Sequence, residues 1–199
     1  MASTQPVPLD RPSSTASLTH AADATMEANL MLQRVTLLYE GMPAALAAGL
    51  GCALALVVVD WQVLPQNWLL AWLTYHMILS TGRYLLVRSF RATKPTTSTS
   101  QRWHRAFLTG TTLAGLGWGA SALILFPESS PTHQVFLAFV LAGVSAGASS
   151  TLAARFDAFL SFALPTLTPL ILRFFFLNHE HALPMAICTL LFSLLMIYT

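Results

Sequence analysis

The sequence predicts an all-α membrane protein, a bundle of six transmembrane helices that form three hairpins. Hydrophobic residues make up 55% of the 199 residues and charged residues only 9%, whereas a soluble domain carries about 25% charged residues. The apolar residues form continuous runs rather than an alternating pattern, which excludes an outer-membrane barrel. A helix satisfies its own backbone hydrogen bonds inside a bilayer and is therefore the expected spanning element.

Six apolar stretches define the expected spans. Each approaches the roughly 20 residues that a helix needs to cross a hydrocarbon core about 30 Å thick. The stretches are residues 43–60, 67–87, 106–126, 134–153, 159–177 and 182–199. Residues 43–199 are therefore expected to form one six-helix transmembrane domain.

The residues before the first span are expected to divide into two parts. Residues 1–24 are rich in Ser, Thr, Pro and Ala and lack the apolar core of a signal peptide. Such a composition predicts a disordered cytoplasmic tail. Residues 25–42 begin with a run of good helix formers, which predicts a juxtamembrane helix that leads into the first span.

The basic residues sort the loops between the spans into two classes. The turns after the first, third and fifth spans contain no Lys or Arg. The turn after the fourth span carries Arg155, and the loop after the second carries Arg88, Arg91, Lys94, Arg102 and Arg105. Because short loops rich in Lys and Arg stay in the cytoplasm, both termini are expected there. Three tryptophans are expected in an aromatic belt at the outer interface: Trp61, Trp68 and Trp72.

Small residues indicate how the spans pack. Gly115 and Gly119 lie four apart in the third span, and Gly143 and Gly147 lie four apart in the fourth. Helix association in lipid depends on close packing at such small residues, so spans 3 and 4 are expected to form the tight centre of the bundle. The fifth span carries two prolines, Pro165 and Pro169. They predict either a static bend or a hinge that transmits a signal.

His76 is an ionisable residue near the middle of the second span, next to Tyr75. Such residues are costly in a bilayer and often functional. The ring could be neutral and bonded to a backbone carbonyl or a hydroxyl group, or it could contact a ligand, sense protons, or bind a metal or haem. The candidate stimulus-sensing residues are His76, Tyr75, Trp118, His133 and Arg173. Arg173, near the outer end of the fifth span, is expected to pair with Asp60 or Glu180.

Other chemistry has weak support in the sequence. His133, His179 and His181 could bind Zn²⁺ or Cu²⁺ if the outer turns converge, could form a pH switch, or could be solvated loop residues. Residues 143–147 match the nucleophile-elbow pattern by letters, but the serine lies within a predicted helix rather than at a strand-to-helix turn. The sequence names no catalytic residue and implies no cofactor. The net charge of +2 comes mostly from the basic loop, so we interpret it as topology rather than nucleic-acid binding.

Scattered motifs carry a resemblance to a known family. They are Arg34-Val-Thr-Leu-Leu-Tyr39-Glu-Gly-Met-Pro43, Arg102-Trp103 with Phe107, Gly117-Trp118-Gly119, Leu125-Phe-Pro127, the run from His133 to Gly147, and Phe159-Leu-Ser-Phe-Ala-Leu-Pro165 with Pro169. Over residues 34–199 the chain resembles the N-terminal six-helix membrane region of bacterial signalling proteins whose cytoplasmic part carries GGDEF and EAL domains or a histidine kinase.

The resemblance implies a sensory input module in the bacterial inner membrane, which itself is not an enzyme. A cytoplasmic output domain in cis would synthesise or degrade cyclic di-GMP, or phosphorylate a partner, and such outputs imply a homodimer. The chain contains no GGDEF, EAL or kinase motif and is still apolar at Thr199. We therefore expect it to be a fragment of a longer protein. The alternative is a small transporter or channel subunit, which would need polar residues along a path and usually an inverted repeat. A membrane-embedded enzyme and a scaffold are further alternatives.

Overall fold

The computed structural model describes residues 12–177 and 182–198, and these residues are arranged in helices without any strand. The helices are α1 (Pro12–Asp60), α2 (Gln66–Thr93), α3 (Ser100–Ile124), α4 (Pro131–Thr151), α5 (Phe156–Phe175) and α6 (Ala182–Tyr198). The prediction of an all-α fold is confirmed. Short connections separate the helices, and Lys94 ends α2 in the left-handed conformation, with a φ of 48°.

Within the described residues, four helices are long and apolar enough to cross a membrane: α1 over residues 18–60, α3, α4 and α5. Helix α6 has 17 residues, which corresponds to about 26 Å. Helix α2 has 28 residues but carries His76, Arg83 and Arg88, which lower its hydropathy. The four apolar helices indicate a membrane protein.

Helix α1 is continuous from Pro12 to Asp60 and has 49 residues, or about 74 Å of helix. The predicted juxtamembrane helix and the first span are thus parts of one helix, and Pro43 does not end it. Where a disordered tail is expected up to residue 24, the structure has helix from Pro12 onward. This segment begins with a proline, which is well tolerated in the first turn, and continues without a break into the better helix formers that follow residue 24. Residues 1–11 lie outside the described residues.

The contacts between helices form a ring. Helix α1 packs against α2 and α4, α2 packs against α3, α3 against α5, and α5 against α4. Helix α6 lies outside this ring and contacts α5 and α4. The expectation that spans 3 and 4 form the tight centre is wrong: α3 makes its most extensive contact with α5, and its contact with α4 is the smallest between any two described helices in contact.

The close approach of α3 to α5 depends on Gly115 and Gly119. A Cβ atom at Gly115 would lie 2.5 Å from the carbonyl oxygen of Phe162, and one at Gly119 would overlap the carbonyl oxygen of Pro165. Pro169 has no N–H group, so the carbonyl of Pro165 lacks its usual partner four residues later. Glycine therefore lets α3 approach backbone oxygens of α5 directly, including the one that lacks its usual helical donor.

The other two glycines expected to pack helices do not do so. A Cβ atom at Gly143 or Gly147 would meet nothing within 4 Å. The reason is the ring arrangement, in which α5 rather than α4 occupies the glycine-bearing face of α3. Pro165 and Pro169 lie inside a continuous α5, and a hinge at these prolines stays a prediction.

Polar and aromatic contacts join the helices at the end of the bundle where the basic loops lie, called here the basic end. His104 of α3 lies 2.8 Å from a carboxylate oxygen of Asp157 in α5, and Arg155 donates two hydrogen bonds to the same carboxylate. The Tyr39 hydroxyl donates to the carbonyl of Trp103 at 3.0 Å. The loops before α3 and before α5 therefore lie at the same end, as the distribution of basic residues predicts.

A second set of contacts closes the opposite end. Arg173 near the end of α5 pairs with Glu128 in the turn between α3 and α4. The guanidinium group also lies over the ring of Phe126, 5.0 Å from its centroid. The expected partner Asp60 is replaced by Glu128, because Asp60 ends α1, which does not pack against α5. The other expected partner, Glu180, lies outside the described residues.

We expect Gly119→Ala to destabilise the protein and Gly143→Ala to leave its stability unchanged or slightly higher, since alanine is favoured over glycine within a helix. The added methyl group overlaps backbone of α5 in the first case and enters open space in the second. Overpacking of this kind costs about 1–3 kcal/mol. Thermal unfolding in detergent, followed by tryptophan fluorescence, measures the difference. Equal unfolding temperatures for the two variants would contradict the α3–α5 contact.

Candidate functional site

A cavity of about 340 Å³ lies inside the ring of helices α1 to α5. Its size is at the lower end of small-molecule sites, which span about 300–1,000 Å³. Much of the wall is apolar and includes Leu46, Leu79, Ala114, Val144 and Phe162. The polar side chains in the wall are His76, Ser80, Arg83, Thr111, Ser150 and Thr151. An apolar cavity with a few grouped polar side chains is typical of a ligand site.

Helix spacing places the polar residues of α2 on one face. Trp72, His76 and Arg83 lie four and then seven residues apart, so their side chains share a face of the helix. The rings of Trp72 and His76 are 4.4 Å apart at their centroids, and Trp118 of α3 lies 4.9 Å from His76. The Trp72 indole N–H donates to the carbonyl of Gly117 at 2.7 Å. Trp72 is thus buried between α2 and α3 beside the cavity rather than exposed at an interface, and its expected place in an aromatic belt is wrong.

Gly117 allows α2 and α3 to approach each other beside the cavity. A Cβ atom there would overlap the ring of Tyr75 and lie 3.1 Å from Nε2 of His76. The Tyr75 hydroxyl donates to the carbonyl of Leu113 at 2.8 Å. Tyr75 and Trp72 therefore hold α2 against the backbone of α3 from either side of His76.

Two polar groups in the cavity wall lack partners. His76 is 5% exposed, and its Nε2 atom lies beside Gly117 without a hydrogen bond of good geometry. Arg83 donates from one terminal nitrogen to the Thr111 hydroxyl at 3.3 Å, while its Nε atom is buried and unbonded. Among the described residues, no carboxylate forms an ion pair with Arg83. Because buried polar groups are normally hydrogen-bonded, these atoms mark a place for a missing partner.

The cavity opens between α1 and α4. The residues in this part of its wall are small, and several of them are exposed: Ala44, Ala48, Gly143 and Gly147. The residues on α2, α3 and α5 that line the cavity are buried or half-buried. The glycines that do not pack helices together therefore leave an opening on the side of the bundle.

The structure brings together some of the predicted sensing residues and separates others. His76 and Trp118 line the cavity, and Tyr75 lies directly behind it. His133 and Arg173 lie at the opposite end of the bundle. The Nδ1 atom of His133 shares a hydrogen bond with the Ser130 hydroxyl at 2.6 Å, at the start of α4. These two residues make contacts at that end of the bundle and do not line the cavity.

A metal site is not formed by the described residues, which contain no group of three His, Cys, Asp or Glu side chains able to hold an ion. His179 and His181 lie outside the described residues, so the weak metal prediction that includes them stays a prediction. Both cysteines are free: Cys52 lines the cavity, and Cys188 is exposed on α6.

Sequence reasoning missed several residues of the site. Arg83 and Trp72 could have been found from their spacing with His76 along one face of α2. Thr111 and Gly117 had no such signal, because their role depends on which helix packs against α3. Four other described residues have buried polar atoms without partners and do not line the cavity: Asp60 with both carboxylate oxygens, His104 with Nδ1, Ser145 with Oγ and Arg173 with Nε.

Comparisons with protein-family models, with curated proteins and with solved structures gave no match.

We expect Trp72→Phe to destabilise the protein by about 1 kcal/mol, because the carbonyl of Gly117 loses a buried hydrogen bond. Trp68→Phe is the matched control, since Trp68 is 51% exposed on the same helix. Unfolding temperatures in the same detergent compare the two variants. A loss of stability in Trp68→Phe as large as that in Trp72→Phe would show that the hydrogen bond to α3 is not the cause.

Proposed function

We propose that the chain is the membrane-embedded sensory input module of a bacterial signalling protein, located in the inner membrane. A stimulus molecule would occupy the central cavity and favour one packing of the helices over another. An output domain in cis, a diguanylate cyclase or phosphodiesterase or a histidine kinase, would respond, and such outputs favour a homodimer. The cavity with the unpaired atoms of His76 and Arg83 is the observation that carries the proposal.

The surroundings of the cavity favour sensing over transport. One helical turn towards the basic end, Tyr39 stacks on Phe90 at 3.9 Å and meets Phe107. Towards the opposite end, Trp72 and Trp118 lie edge to face at 5.2 Å. A transporter needs a route for its substrate to both sides of the membrane. Aromatic side chains lie across the bundle towards both of its ends. They leave no route along the axis of the bundle, which supports a site that a ligand enters from the side.

The proposed topology has six spans, with α2 and α6 crossing the membrane beside the four more apolar helices. Arg83 of α2 faces the cavity rather than lipid, which removes the main objection to α2 as a span. Both termini would be cytoplasmic, since the loops before α3 and α5 carry the basic residues. The N-terminal part of α1, exposed from Ala22 to Arg34 apart from scattered half-buried positions, would extend into the cytoplasm.

The topology is tested with a reporter enzyme that is active only outside the cytoplasm. Inserted within residues 96–100, between α2 and α3, the reporter should be inactive. Inserted within residues 128–131, between α3 and α4, it should be active. The reverse pattern would overturn the orientation, and equal activity at both positions would overturn the third span.

The sensory function is tested by fusing residues 1–199 to a reporter diguanylate cyclase and recording its output in cells across growth phases and media. Gly143→Phe, which places a large side chain at the cavity opening, should hold the output at one level. Leu54→Phe is the matched control, because Leu54 is 50% exposed on α1 and does not line the cavity. Output that varies equally in the wild type and in Gly143→Phe would contradict a sensory cavity.

A further inference from the structure

The polar part of the cavity wall has a positive charge without a counter-ion. Arg83 presents five N–H donors in a fixed fork, and one hydrogen bond, to Thr111, is assigned to it. The ion pairs of the described residues join other side chains: Asp157 with His104 and Arg155, and Glu128 with Arg173. A guanidinium group inside a bilayer is costly unless an anion or backbone carbonyls surround it.

The neutral donors next to Arg83 complete an anion site. Ser80 lies one turn before Arg83 on α2, and both side chains line the cavity with the Thr111 hydroxyl. His76 lies one turn further back on the same helix and also lines the cavity, with its Nε2 atom beside Gly117. Carboxylate and phosphate oxygens accept short, charge-assisted hydrogen bonds from guanidinium groups, often as a bidentate pair. The fork of Arg83 is therefore suited to a single anionic headgroup.

The rest of the cavity is suited to a hydrocarbon chain. The wall also includes the apolar side chains of Leu46, Val144, Ala148 and Phe162, with Ser150 and Thr151 at the end of α4. The opening between α1 and α4 is formed by alanine and glycine, so a chain can pass from the cavity into the surrounding lipid without meeting a bulky side chain. A volume of about 340 Å³ accommodates a headgroup and the first part of such a chain.

We propose that the cavity binds an anionic amphiphile, a molecule with one carboxylate or phosphate headgroup and an apolar chain. The headgroup pairs with Arg83 between α2 and α3, and the chain leaves through the seam between α1 and α4. This inference rests on the proposed sensory function and names the chemical class of the ligand at the same cavity. A membrane phospholipid and a free fatty acid share this chemistry.

The test uses the purified chain in nanodiscs of neutral lipid, with 5-fluorotryptophan in place of tryptophan. The ¹⁹F resonance of Trp118, which lines the cavity, is assigned with Trp118→Phe and reports occupancy. Octanoate and octan-1-ol, which differ only in the headgroup, are titrated separately. We expect octanoate to shift the Trp118 resonance in a saturable manner and to bind at least tenfold more tightly than the alcohol. The resonance of the exposed Trp68 should not move.

Arg83→Gln should weaken octanoate binding by roughly 10–100-fold, as expected for loss of a charge-assisted hydrogen bond, and leave octanol binding unchanged. Arg88→Gln is the matched control, because Arg88 is exposed on the same helix. Ser80→Asp provides a second variant in case Arg83→Gln does not fold. Its carboxylate would pair with Arg83 and should abolish octanoate binding without preventing octanol binding.

Nanodiscs that contain phosphatidylglycerol distinguish the two sources of the anion. A phospholipid ligand would shift the Trp118 resonance without octanoate and block the titration, while a free fatty acid would still bind. Either result supports an anionic amphiphile. Equal affinities for octanoate and octanol, or no response of Trp118 to either, would overturn the inference. The reporter fusion with Gly143→Phe would still decide the sensory function, since it does not depend on ligand charge.

Discussion

Helix α3 can pack closely against two neighbours because it carries glycine on two opposite faces. Gly115 and Gly119 lie four residues apart and face α5, whereas Gly117, halfway between them and about 200° around the helix, faces α2. A side chain at any of these positions would separate α3 from a neighbour. The close approach on both faces places α2 and α5 on either side of α3. The cavity lies inside the ring of helices that results.

Small residues have the opposite effect on the other side of the ring. Gly143 and Gly147 of α4 face open space, and with the alanines of α1 they leave the cavity unfilled. The two glycine pairs have the same spacing, and they differ in the helix that each one faces. Helix α5 offers backbone oxygens close to its surface, and Pro169 leaves that of Pro165 without its usual helical donor. Where α4 faces α1, the same spacing of small residues borders an opening instead of a contact.

The fold was largely predictable from the sequence, because continuous apolar runs and the sorting of basic loops are local signals. The helix neighbours were not, since the glycine pairs in α3 and α4 are alike in sequence and their partners are set by tertiary packing. The site was predictable in part. His76 is conspicuous as an ionisable residue in an apolar span, but the role of Thr111 depends on Arg83 reaching it from another helix. Likewise, the pairing of Arg173 with Glu128 depends on where a turn lies in space.

Phe162 connects the cavity to the rest of the bundle. Its side chain lines the cavity, and its carbonyl oxygen lies against Gly115 in the α3–α5 contact. Thr166, one turn later, donates to the Phe162 carbonyl at 2.7 Å and lies 3.3 Å from the carbonyl of Gly115. A molecule that displaced Phe162 would therefore act on a contact in which α3 contributes glycines, with no side chain of their own to absorb the change. Helix α6 packs on α5 and would move with it. Such a displacement becomes a signal if the ligand binds one arrangement of α3 and α5 more tightly than another.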